Sequence, residues 1–122
     1  MTERPAIKKA KVGKDTSEEE AFQNTVLRQI IKMKHDLLIS HTKYFILKKK
    51  KDFHSLNQEG KLEFMTSSFE RDQTFRSELR GMIIGQFTVE EYNQYSNMSN
   101  PINKRIINII KERMINHMEV II

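Results

Sequence analysis

Between Ser17 and Lys51 the chain runs without a proline or glycine, and apolar positions recur through it at alternating steps of four and three. Val26, Ile30, Met33, Leu37, Tyr44 and Leu47 form the series, with Ser40 as its one polar member. Leu27, Ile31, Leu38 and Phe45 widen the stripe on one side. This is the period of a helix rather than a strand. Ser17 with Glu20 three residues on is a capping-box pattern, Glu18 and Glu19 suit the positive end of a helix dipole, and Lys48 to Lys51 suit the negative end. Unbroken, such a helix is about 52 Å long at ~1.5 Å per residue, longer than a domain of this size is wide. The sequence therefore predicts a rod that projects, pairs with another chain, or kinks near Ser40-His41-Thr42, its poorest helix formers.

Shorter helical segments follow. A helix over 57–65 would turn Leu62, Phe64 and Met65 inward past Gly60. Ser67 with Glu70 repeats the capping pattern and opens a helix through Phe75, Leu79, Met82 and Ile83, which Gly85 would end in the left-handed conformation. Thr88 with Glu91 starts the next, with Phe87 before the cap and Tyr92 placed to staple it. Asn100 and Pro101 supply a cap and a first-turn proline for the last helix. Its apolar face is Ile102, Ile106, Ile107, Ile109, Ile110, Met114 and Met118, and its solvated side Lys104, Arg105, Lys111, Glu112 and Arg113. The fold class is all-α. A single domain over 16–122 holds one long N-terminal helix and three or four shorter ones, and residues 1–15 form a disordered basic arm.

Charge changes this picture more than composition does. The chain of 122 residues carries +5, but residues 1–15 hold +3 and Lys48 to Lys51 hold +4, so the remainder is −2. The basic balance is thus confined to the arm and one lysine run rather than spread over a globular face. With no cysteine, neither a disulfide framework nor a thiolate metal site can form, which fits a reducing compartment. No apolar run reaches the ~18 residues of a membrane span, and the N-terminus lacks the apolar core of a secretory signal. Lys8, Lys9 and Lys11, following Pro5, resemble a short nuclear import signal, so the expected location is the nucleus, otherwise the cytoplasm.

Catalytic constellations are missing. The four histidines, His35, His41, His54 and His117, include no pair spaced to share a helix face with an intervening acid, and no phosphate loop, nucleophile elbow or calcium loop is present. The expectation is a non-enzyme with no cofactor and no metal. Two functions remain. In the first, the chain is an accessory or scaffold subunit of a larger nuclear assembly. It binds a protein partner through the amphipathic, coiled-coil-like stripe Val26, Ile30, Met33, Leu37, Tyr44 and Leu47 and through the apolar end Val120, Ile121 and Ile122. In the second it is a small DNA-binding module of the helix-turn-helix or homeodomain-like kind. There Lys8, Lys9, Lys11 and Lys48, Lys49, Lys50 and Lys51 contact phosphates, and Lys104, Arg105, Asn108 and Lys111 lie on the reading helix.

Overall fold

The computed structural model describes residues 17–121, and every regular element among them is helical. The arm and Ile122 lie outside the described residues. The predicted rod is a succession of segments: α1 (Glu18–Phe22), a π-helical stretch (Gln23–Leu27), α2 (Arg28–Met33) and α3 (His35–Lys49). Ser17 caps α1 by accepting from the Glu20 amide at 3.1 Å. After a single 3₁₀ turn (Phe53–Ser55) come α4 (Gln58–Arg71), α5 (Gln73–Ile84), α6 (Val89–Ser96), α7 (Ser99–Asn116) and α8 (Met118–Ile121).

The regular backbone gives way at Lys34 (φ −97°, ψ 15°), between α2 and α3, and not at Ser40. Ser40, His41 and Thr42 are poor helix formers, yet α3 runs through them because tertiary contacts override propensity. Thr42 is fully buried, and His41 stacks on Phe75 and bonds Glu78 at 3.1 Å. The buried positions differ on the two sides of Lys34, although the helical hydrogen bonds from Lys34 N–H to Ile30 O and from Leu38 N–H to Lys34 O, each 2.9 Å, continue across it. Upstream the core takes Val26, Leu27, Ile30 and Ile31; downstream it takes Leu38, Ile39, Thr42, Phe45 and Ile46. At ~100° per residue the buried face has turned by about 90° across Lys34.

α5 lies antiparallel along α3, as three cross-links in reverse order show: Lys49 with Asp72 at 3.9 Å, Phe45 with Phe75 at 4.0 Å between ring centroids, and His41 with Glu78. α7 is the hub. It touches each of α2 to α6 and α8, and buries Ile102, Ile106, Ile107, Ile110 and Met114. An apolar helix with neighbours on most sides fits the isoleucine density of this segment. Phe22 meets Phe87 edge-on at 5.5 Å, which ties α1 to the start of α6. α8 folds back onto α3 and buries Ile121 there.

Several local expectations need correction. Ser67 and Glu70 lie within α4; α5 is instead capped by Asp72, which accepts from the Phe75 amide at 3.0 Å. Asn57 caps α4 through the Gly60 amide at 2.7 Å, so Gly60 sits in the first turn and α4 is a turn and a half longer than the pattern suggests. Arg76 reaches back to the Phe69 carbonyl at 2.7 Å and closes the end of α4. Leu62 is exposed rather than inward. Gly85 ends α5 in right-handed geometry (φ −62°, ψ −13°), not left-handed. The last helix begins at Ser99 without a side-chain cap, which places Pro101 in a first turn whose amides need no helical partner. The Thr88–Glu91 capping box is present with both reciprocal bonds (2.9 and 3.1 Å), while Phe87 rests on Tyr95 at 5.5 Å and Tyr92 is half exposed.

Candidate protein-binding face

The rotation at Lys34 divides the predicted stripe in two. Val26 and Ile30 lie in the core and Met33 is half-buried, whereas Leu37, Tyr44 and Leu47 are 52%, 63% and 50% exposed. With exposed Ser40 these three form a continuous seam at steps of three, four and three along α3. On a helix of ~100° per residue the seam is about 180° from the mean direction of the buried set Leu38, Ile39, Thr42, Phe45 and Ile46. α3 therefore has an apolar inner face against α5 and α7 and a second apolar face toward solvent. Large apolar side chains scattered singly on a surface are ordinary; these three stand in register on one helix.

Cations border this seam. Lys43, Lys48 and Lys51 are exposed, and the Lys48 ammonium lies 5.7 Å from the centre of the Tyr44 ring. Lys49 faces Asp72, and Lys50 faces Asp52 at 3.4 Å. Between α3 and α5, beside Tyr44, a recess of 120 Å³ is lined by the buried rings Phe45 and Phe75 and by Lys48, Lys49, Asp72, Thr74 and Glu78. At the other end of the chain Ile121 joins the protein's own core and Val120 is half exposed.

The residues expected on nucleic acid are not brought together. Lys8, Lys9 and Lys11 lie outside the described residues. Lys111 bonds Glu70 at 2.7 Å, and this hydrogen bond and charge hold the Glu70 carboxyl below its ordinary range. Lys104, Arg105 and Asn108 line a 480 Å³ open groove with Gln23 and Arg28, in which Arg105 donates to Gln23 at 2.9 Å. Most of a helical stretch separates that groove from Lys48: the twenty residues from Arg28 span roughly 30 Å at ~1.5 Å per residue.

A third cluster joins α3 to the C-terminal end of α7. Arg113 Nε donates to His35 Nδ1 at 2.7 Å, the His35 and His117 rings meet at 4.7 Å, and His117 Nδ1 lies 2.8 Å from the Arg113 carbonyl oxygen. Accepting at Nδ1 makes His35 the neutral tautomer with its proton on Nε2. Burial, the Arg113 guanidinium and His117 lower its pKa, against the opposing pull of Asp36. Sequence reasoning missed this cluster because its members are far apart along the chain.

Among the described residues no group of three or more metal-ligating side chains is assembled, and no helix is long and apolar enough to cross a membrane. The chain matches no known family model, no curated protein and no solved structure.

Proposed function

We propose that this protein is a binding subunit that engages another protein along the outer face of α3. One observation carries the reading: Leu37, Tyr44 and Leu47 are aligned, apolar and open to solvent on the side of α3 opposite the core. The occupant is a helix of a different protein, since a long exposed helical seam is the usual receptor for another amphipathic helix. A second copy fits less well because Lys43 and Lys48 border the Tyr44–Leu47 half of the seam on its two sides. The free chain should scatter light as a monomer across micromolar concentrations. Substituting Tyr44→Ala and Leu47→Ala together should leave the helical circular dichroism intact and abolish recovery of the partner from source cells. A partner retained by that double variant overturns the assignment.

A second reading, contact with a polyanion, draws support from the grouping of Arg28, Lys104 and Arg105 at one groove. Such contact would weaken steeply with salt. Arg28→Glu with Lys104→Glu should then abolish binding of a generic DNA duplex, and binding that survives both changes removes the groove from consideration.

A further inference from the structure

The outer face of α3 also limits what its partner looks like. We infer that α3 receives an amphipathic helix that carries acidic residues beside its apolar stripe and seats one large apolar side chain in the recess beside Tyr44. The inference rests on the reading of this face as a docking surface, and adds to it the partner's chemistry.

The recess supplies the anchor. Its 120 Å³ lies close to the roughly 150 Å³ apolar cavity that accommodates a benzene ring. Its floor is a stacked pair of rings, Phe45 on Phe75, that are themselves held in the core. Binding energy in protein interfaces concentrates on a few residues, tyrosine prominent among them, in well-packed pockets. The floor is already built in the free chain, so a side chain entering it orders little that was mobile.

Charge selects the flanks. In the heptad that puts Leu37, Ser40, Tyr44 and Leu47 on the seam, Lys43 and Lys48 border its Tyr44–Leu47 half, while Asp36 and His41 border the half beside Leu37. Neither Lys43 nor Lys48 lies within salt-bridge distance of a carboxylate among the described residues, whereas Lys49 and Lys50 face Asp72 and Asp52. A parallel second copy would set Lys43 against Lys48 of its mate; an antiparallel one would set Lys43 against its own equivalent, though it would also bring Asp36 opposite Lys50. Glutamate or aspartate in the partner opposite Lys43 and Lys48 turns both lysine contacts favourable. The apolar area on offer, roughly 300 Å² from three half-exposed side chains, is well under the ~800 Å² per partner of a stable two-fold interface. A weaker, exchangeable hetero-contact steered by charge fits that area.

The test is a displayed library of 21-residue helices with leucine fixed along the seam. Glu, Lys and Gln are allowed at the bordering positions, and Ala, Leu, Phe and Trp at one anchor position opposite Tyr44. Selected on the full chain in low salt, the library should enrich Glu at the borders facing Lys43 and Lys48 and Phe, Leu or Trp at the anchor. Affinity of the winners should fall about tenfold on Lys43→Glu plus Lys48→Glu, and about tenfold or more on Tyr44→Ala. All three side chains are exposed, so these variants should fold as the parent does, which circular dichroism checks. If binders lose affinity with Tyr44→Ala but show no preference for acids, the docking face stands and the partner chemistry falls. If no binder depends on Tyr44 and Leu47, or if winners instead track Lys104 and Arg28, both fall. Enrichment of Ala at the anchor removes the recess.

Discussion

Leu37 and Leu38 are chemically identical neighbours that the fold treats oppositely, and substituting each by alanine measures the register of α3 directly. Leu38 is fully buried against the core, while Leu37 is half exposed on the outer face. Removing the Leu38 branch loses about three methylene equivalents at ~0.8 kcal/mol each. It also leaves a cavity, so the total should be about 3 kcal/mol, within the roughly 2–5 kcal/mol span of buried leucines. Leu37→Ala gives up at most part of that transfer term and regains a little helix propensity, for a loss below about 1 kcal/mol. Urea unfolding followed by helical circular dichroism separates the two, with equal slopes and midpoints displaced only for Leu38→Ala. On heating, the Leu38 variant should melt about 9–15 °C lower, at roughly 3–5 °C per kcal/mol for a domain between the small and mid-sized classes. Equal losses at the two positions would mean that the seam is covered in the free chain, and the reasoning about α3 would be refuted.

Other outcomes follow from single contacts. The folded state holds His35 below its ordinary pKa, so it takes up that proton less readily than the unfolded chain. This contribution to stability is complete above the ordinary histidine value and is lost as pH falls below it toward the lowered one. Midpoints measured between pH 7.5 and 5 should decline, and His35→Gln, which keeps an acceptor for Arg113, should flatten the decline; an unchanged slope counts against the cluster. Thr42 buries its hydroxyl without a hydrogen-bond partner among the described residues, so Thr42→Val should be neutral or stabilising by up to about 1 kcal/mol, and a loss above that in urea unfolding would contradict it. Thr88→Ala removes a capping box at the start of α6 and should cost about 1 kcal/mol by the same assay, where a zero effect would show that α6 frays in solution.

The helical class could be read from the sequence, because the 3.6-residue period over 17–51 and the isoleucine repeat of α7 are strong signals that tertiary packing reinforced. The Thr88–Glu91 cap was equally legible, since both members of the box are local. What could not be read is where packing decides against local preference. Nothing in the type of Lys34 marks it as the place where the helix gives way, and nothing local shows that His41 will stack on Phe75 and keep Ser40 helical. That one misplacement carried the series from Val26 to Leu47 across a quarter turn. As a result the flanking Leu27, Ile31, Leu38 and Phe45, read as a widening of the stripe, are the continuous core line. The same quarter turn leaves Leu37, Tyr44 and Leu47 outside, whereas Val26 and Ile30 belong to the protein's interior and Met33 is half-buried. α5 hid its start because Asp72 caps it without the acidic reciprocal partner that the pattern looks for.

Thiol accessibility along α3 tests the claim that its outer face is open most directly, because the chain has no cysteine of its own. Single substitutions Leu37→Cys, Tyr44→Cys and Leu47→Cys should react with a maleimide nearly as fast as in urea-unfolded chain, at every protein concentration, and Leu38→Cys far more slowly. Helices selected from the library should protect the first three and leave the fourth unchanged. Protection of positions 37, 44 and 47 in the free chain would contradict the account: if independent of concentration, the protein covers its own seam, and if growing with concentration, a second copy does.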